Sequence, residues 1–232
     1  LYAIVWDGRE LVGLNASGRA PRDVDASRYG KDGIPQRGWE AVTIPGAVSG
    51  WVALSKRWGK LPVADLFEPA IRYARDGFVV SPVIALQWRR AAGVIPREFG
   101  WAEHFLPRGR TPEAGEAFAC PPMAATLASI ARSEGESFYR GELAATMAAH
   151  AQSFGARHTA ADFAAHACDW VKPLSLDYRG ATVHEIPPNG QGIAALQALG
   201  ILREFDLGAE SPDALPAQHR AIEAMKLAFA DA

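Results

Sequence analysis

Hydrophobic and polar positions along the chain change period twice, which divides 232 residues into a strand-like beginning, a long helical middle and a mixed end. Leu1 to Leu14 reads as a β-hairpin, LYAIVW and RELVGL, joined at Asp7-Gly8, a dipeptide that accepts the positive φ of a two-residue turn. A lone pair of strands is marginal in water, so the near-continuous apolar first strand expects more sheet around it. Residues 15–43 hold Gly, Pro, Asp and Arg without either period and predict a long exposed connection.

The 3.6-residue period then begins. Ala47, Trp51, Leu54 and Trp58 fall on one face of a helix that Gly59 stops, and Leu66, Ala70, Tyr73 and Ala74 share a face of a second helix that starts at Pro62 and ends at Gly77. These two stripes are read as the core faces of a helical hairpin. From 94 to 121 the text is irregular, with Pro96, Pro107 and Pro112. Met123, Leu127 and Ile130 mark a further helix, and Leu143, Met147, Ala151 and Phe154 another that ends at Gly155. Thr159 with Asp162 three residues on predicts a capping box at the start of a short one.

Alternation returns at Leu174, Leu176 and Tyr178 and, after Arg179-Gly180, from Thr182 to Ile186. A helix opens near Gly192, and a last one carries Ile222, Met225 and Phe229. It reaches Ala232 without a stop signal, so the segment reads as cut from a longer polypeptide. The fold class expected is α+β, mostly α, in three segments: hairpin and loop at 1–45, a mainly helical region at 46–172, and hairpin with helices at 173–232.

Composition narrows the function classes. Hydrophobic residues make up 49% and charged residues 22%, and 24 Lys and Arg against 26 Asp and Glu lack the basic footprint of a nucleic-acid binder. Cys120 and Cys168, the two cysteines, cannot make a four-thiolate zinc site or a disulfide framework and are read as buried free thiols. No apolar run approaches the roughly 20 residues of a membrane span, and no signal-peptide pattern opens the chain. Periplasm and cytoplasm both stay open.

Local motifs carry little chemistry. Gly190-Gln191-Gly192-Ile193-Ala194-Ala195 fits a dinucleotide fingerprint, with Glu210 as the ribose contact, but Pro187 and Pro188 separate the strand from the turn that would face a pyrophosphate. In Gly46-Ala47-Val48-Ser49-Gly50 the serine stands one place late for a nucleophile elbow and lies on a helix, so Ser49 reads as structural. Six histidines show no metal-ligand spacing, and no cofactor is expected. Asn15-Ala16-Ser17 is formally a glycosylation sequon and is taken as chance.

Several spaced motifs do occur in a familiar order. Ile44-Pro45-Gly46-Ala47-Val48-Ser49-Gly50-Trp51, Gly59-Lys60-Leu61-Pro62, Asp76-Gly77-Phe78-Val79-Val80-Ser81-Pro82, Phe138-Tyr139-Arg140-Gly141, Thr159 to Phe163, Tyr178-Arg179-Gly180, Pro187 to Gly192 and the closing stretch from His219 to Asp231 span nearly the whole chain. Together they resemble the large subunit of gamma-glutamyltranspeptidases. The resemblance implies an αββα sandwich to which 1–45 and 173–232 contribute, and a self-cleaving precursor of the N-terminal nucleophile hydrolase class. It also implies a partner, a small subunit led by a threonine that attacks the gamma-amide of glutathione-type substrates. A threonine hydroxyl needs a base beside it, and the freed α-amine, with a pKa near roughly 8, supplies one within the same residue. Thr43, Thr111, Thr126, Thr146, Thr159 and Thr182 do not stand in such a junction, so no catalytic residue is expected within the chain.

The resemblance also locates a substrate-binding position. Where family members carry an arginine that pairs with the substrate α-carboxylate, in Leu-Asp-aromatic-Arg-Glu-x-Ala-Pro, this chain reads Leu14-Asn15-Ala16-Ser17-Gly18-Arg19-Ala20-Pro21. Ser17 cannot offer a bidentate fork. Arg19, two residues on, is the other candidate, although Gly18 predicts a flexible loop that would hold an arginine poorly. The departure favours members resembling cephalosporin acylases. From another class stands a non-catalytic helical interaction module, favoured by seven tryptophans and the missing nucleophile. The apolar first strand and the uncapped last helix predict self-association of the isolated segment.

Overall fold

The computed structural model describes residues 1–31, 33–95, 100–209 and 211–232. Pro96 and Glu210 therefore lie outside the described residues. The fold is α+β in two compact units, Leu1–Ser17 with Ala167–Ala232, and Gly18–His166.

In the first unit, β1 (Tyr2–Trp6) and β2 (Leu11–Asn15) form the expected hairpin. At its turn Gly8 has φ +98° and the Asp7 carboxylate accepts from the N–H groups of Arg9 and Glu10. A third strand, β5 (Asp169–Val171), pairs antiparallel with β2, so that Asn15 stands between Tyr2 and Asp169. Val12 and Leu14 are buried on this central strand. A Cβ on Gly13 would meet Val171 and Ile186 within 3 Å, so the glycine lets their side chains close over the sheet. The second hairpin, β6 (Leu174–Tyr178) and β7 (Ala181–Glu185), turns at Arg179 and Gly180, both at positive φ. Helices α9 (Gly192–Leu202) and α10 (Leu215–Asp231) meet along Ala194, Ala198, Ala224 and Ala228.

The second unit is helical: α1 (Ala47–Trp58), α2 (Val63–Asp76), α3 (Pro82–Ala92), α4 (Trp101–Phe105), α5 (Pro121–Arg132), α6 (Glu136–Tyr139), α7 (Glu142–Ser153) and α8 (Ala160–Ala164). A two-residue ladder, β3 (Phe78–Val79) with β4 (Ala117–Phe118), orders part of the stretch read as irregular. The core gathers Ile44, Val48, Phe67, Ile130, Tyr139, Ala148 and Phe163. The capping box is present: the Thr159 hydroxyl accepts from the Asp162 N–H while the Asp162 carboxylate accepts from the Thr159 N–H.

The described residues between 18 and 43 pack within this helical unit, which runs from Gly18 to His166. The N–H of Ile44 donates to the Arg19 carbonyl, the N–H of Arg22 to Asp162, and the Trp39 indole to His150, while His158 bonds the Val42 carbonyl. Gly18 is part of this fixation, contrary to the flexibility expected of it. A Cβ there would overlap the Ile44 carbonyl oxygen, so glycine is demanded by a close crossing of two backbones.

Helices stand at the expected stripes, but α1 and α2 bury a different face. Val48 and Val52 are the buried side of α1 while Trp51 is exposed, and Phe67, with partly buried Val63 and Ile71, is the core side of α2 while Leu66 and Tyr73 face out. Both helices carry two apolar stripes; in α1 the smaller Val48 and Val52 fill the closer contact, and in α2 Phe67 does so between Val63 and Ile71. Trp51 instead sits edge-on to Phe67, 5.9 Å away, at the rim. Tyr73, Phe78, Trp88, Trp101, Phe105 and Phe118 wall an apolar cavity of about 710 Å³ in this unit. In α10 the alanine stripe is buried and Ile222, Met225 and Phe229 are exposed. Cys120 is buried and Cys168 half-buried. No helix among the described residues is long and apolar enough to cross a membrane.

Candidate functional site

The chain leaves β2 at Asn15 and is pinned there by the Ala16 N–H, which donates to the Leu1 carbonyl at 2.9 Å. Asn15 then folds back on its own backbone: its Oδ1 accepts the Ser17 N–H at 2.9 Å, the turn that asparagine favours. From the other end of the unit, Asn189 in the Pro187–Gly192 turn closes the cluster. Its Oδ1 lies 2.9 Å from Ser17 Oγ and 3.1 Å from Asn15 Nδ2.

The orientation of both amides follows from one fixed donor. A backbone N–H can only donate, so the Asn15 atom facing Ser17 is the oxygen and its nitrogen faces Asn189. The Asn189 atom that receives this nitrogen must then be its own oxygen. Asn189 Nδ2, with two N–H donors, is left without a partner among the described residues. The single hydroxyl proton of Ser17 lies between two acceptors, Asn15 Oδ1 at 2.8 Å and Asn189 Oδ1 at 2.9 Å. The hydrogen-bonded triad is uncharged.

Arg19 lies in the helical unit. It lines a cavity of about 130 Å³ with Ala20, Arg22, Ile44, Asp162, Ala165 and His166. Burial opposes charge on Asp162, but hydrogen bonds from the Thr159 hydroxyl and from the N–H groups of Arg22 and Thr159, with the Arg22 charge, outweigh it and hold the carboxyl below its ordinary range. The structure thus groups Ser17 with Asn15 and Asn189, and Arg19 with Arg22, Asp162 and His166. Sequence reading passed over Asn15 as a sequon and Asn189 as a turn residue, because 174 positions separate them and no spacing rule links them.

Other candidates resolve as structure. Ser49 Oγ lies 2.9 Å from His166 Nε2, the separation of a nucleophile and its base, but the hydroxyl proton is directed at the Gly46 carbonyl at 2.7 Å. With that proton on the Gly46 carbonyl, His166 is the donor in its contact with Ser49. Tyr139 completes this lattice, accepting the Ser49 N–H and donating to the Pro45 carbonyl. A Cβ on Gly192 would overlap the Glu185 carboxylate, which occupies the first turn of α9 where a dinucleotide phosphate would sit. Among the described residues no three His, Cys, Asp or Glu side chains form a group that could hold a metal ion.

Residues 1–232 match the family profile described as Gamma-glutamyltranspeptidase. The chain belongs to the gamma-glutamyltranspeptidase family. Within it, the chain is 37% identical over 219 residues to the Glutathione hydrolase-like YwrD proenzyme of Bacillus subtilis (strain 168), covering 94% of this chain and 42% of that protein. It superposes on the cephalosporin acylase of Bacillus halodurans with a TM-score of 0.91 at 43% identity, over 98% of this chain and 44% of the other. On the gamma-glutamyltranspeptidase of Helicobacter pylori the TM-score is 0.92 at 26% identity, over 99% and 68%. This family member spans less than half the length of the curated relatives it matches.

Proposed function

We propose that this chain is the large-subunit segment of a self-processing amidase whose nucleophile is a threonine outside residues 1–232, and that its acyl group lacks a charged amino-acid head. One observation carries the second half: where the family arginine is expected, Ser17 is closed into a neutral triad with Asn15 and Asn189. A carboxylate there would meet no guanidinium fork, and if substrate binding removed it from water it would be left unpaired, which costs several kcal/mol when burial is complete. The likeness to a cephalosporin acylase points the same way.

In the reaction, the threonine hydroxyl attacks the amide carbonyl while its own α-amine takes the proton. The tetrahedral intermediate then expels the amine, which leaves with that proton, and an ester to threonine remains for water or an acceptor amine to cleave. The β2 terminus and the Pro187–Gly192 turn hold the acyl head during these steps.

The test is Ser17→Arg in the full-length processed protein. Turnover of gamma-glutamyl p-nitroanilide relative to pentanoyl p-nitroanilide should rise by about 10-fold or more, the worth of one charge-assisted hydrogen bond. A parent that already hydrolyses glutathione efficiently, with Arg19→Ala silent, would overturn the proposal. A second reading rests on the small cavity where Arg19 and Arg22 converge. There Arg19 takes the α-carboxylate of a gamma-glutamyl substrate, and Arg19→Ala weakens binding by about 1.5 to 3 kcal/mol.

A further inference from the structure

We infer that Asn189 is a specificity-determining residue, held by Asn15 and Ser17 so that its side-chain N–H groups meet an uncharged oxygen acceptor, such as a ketone, ester or amide carbonyl, on the acyl group. The inference rests on the amidase reading above and goes beyond it by naming the group that reads the substrate. Ser17 itself has no donor left, because its one proton is shared between Asn15 Oδ1 and Asn189 Oδ1. Asn15 spends its oxygen on the Ser17 N–H and one of its two side-chain N–H donors on Asn189. Among the three side chains Asn189 Nδ2 therefore has the most donors to offer, two against one on Asn15 and none on Ser17.

The fixed orientation makes this selective. For Asn189 to turn its oxygen outward, its nitrogen would have to face Asn15 Nδ2 and the Ser17 hydroxyl, giving up an acceptor that both groups use. Two outward donors repel an α-amine and offer no cation to a carboxylate, whereas a neutral carbonyl oxygen accepts them without the desolvation cost of a charge. Asn15, Ser17 and Asn189 all belong to the same compact unit, so the arrangement is set by the end of β2 and one turn.

Asn189→Asp separates the two roles of the residue. Aspartate keeps an oxygen for Asn15 and Ser17 but puts an acceptor where the donors were. In the full-length processed protein, two anilides of equal shape are compared: 5-oxohexanoyl p-nitroanilide, whose ketone oxygen stands where a gamma-glutamyl carboxylate would, and 5-methylhexanoyl p-nitroanilide, which lacks it. The native protein should favour the ketone in kcat/KM by about fivefold to tenfold, the worth of a neutral hydrogen bond, and Asn189→Asp should bring the ratio to about 1. If Asn189→Asp fails to accumulate, Asn189→Leu reads the same ratio. Hydrolysis of both anilides with a native ratio of 1, or a ratio unchanged in the variant, overturns the inference and leaves the amidase reading standing. Faster turnover of glutaryl p-nitroanilide than of the ketone also overturns it, since a carboxylate is then the preferred head. No hydrolysis of any of these anilides removes the amidase reading and the inference together.

Discussion

Asp162→Ala should destabilise the helical unit by about 2 to 4 kcal/mol. The carboxylate, 8% exposed, is the acceptor for three donors: the Thr159 N–H at 2.9 Å, the Thr159 hydroxyl at 2.6 Å and the Arg22 N–H at 3.1 Å. The hydroxyl can rotate to another partner, but the two backbone donors cannot. Loss of the capping carboxylate costs about 1 kcal/mol, and each stranded buried N–H adds about 1 to 3 kcal/mol less whatever water recovers. For a chain of this size about 3 kcal/mol corresponds to a fall in Tm of about 6 to 12 °C. Because the folded-state pKa lies below the ordinary 3.8, the stabilisation is fully present above 3.8 and disappears as pH falls through the folded value. The gap in Tm between native and variant protein should therefore be wide at pH 7 and close on acidification. Far-UV circular dichroism melts at pH 7 and at stepwise lower pH measure this. A variant that melts within 1 °C of the native protein at pH 7 would refute the argument that the loop 18–43 is tied down through this carboxylate.

Three further outcomes are expected. Gly18→Ala, whose Cβ would overlap the Ile44 carbonyl, should cost more than about 2 kcal/mol and lower the yield of folded protein, whereas a melting point equal to native would show that the crossing relaxes. The purified 232-residue chain should release no p-nitroaniline from gamma-glutamyl p-nitroanilide above background if the nucleophile lies outside it as proposed; sustained release would place a nucleophile within the chain. The same chain should self-associate in light scattering through the exposed edge of β1, with Tyr2, Ile4 and Trp6, and the exposed face of α10, with Ile222, Met225 and Phe229; a monodisperse monomer at high concentration would count against this.

What the sequence made legible was local. The Asp7-Gly8 and Arg179-Gly180 turns, the glycines that end α2 and α7 and the Thr159–Asp162 box each depend on neighbours within a few residues, and each stands where expected. Which stripe of a two-striped helix faces inward is a tertiary property. Periodicity puts Trp51 and Val52 in equally good stripes, and only the packing of α1 against its neighbours selects Val48 and Val52. Strand β5 is three residues long, too short to show a period, and is defined by its partner β2. The candidate site was half legible: family order marked Ser17, but the partners that fix its chemistry join through contacts that no sequence window contains.

The proposed function requires that the full-length protein cut itself at a threonine outside residues 1–232. Intact mass and N-terminal sequencing of the purified full-length protein test that directly. Two chains should appear, the second beginning with threonine, and exchange of that threonine for alanine should leave a single uncut, inactive polypeptide. A protein that hydrolyses the anilides as one uncut chain, or whose second chain begins with any other residue, would contradict it.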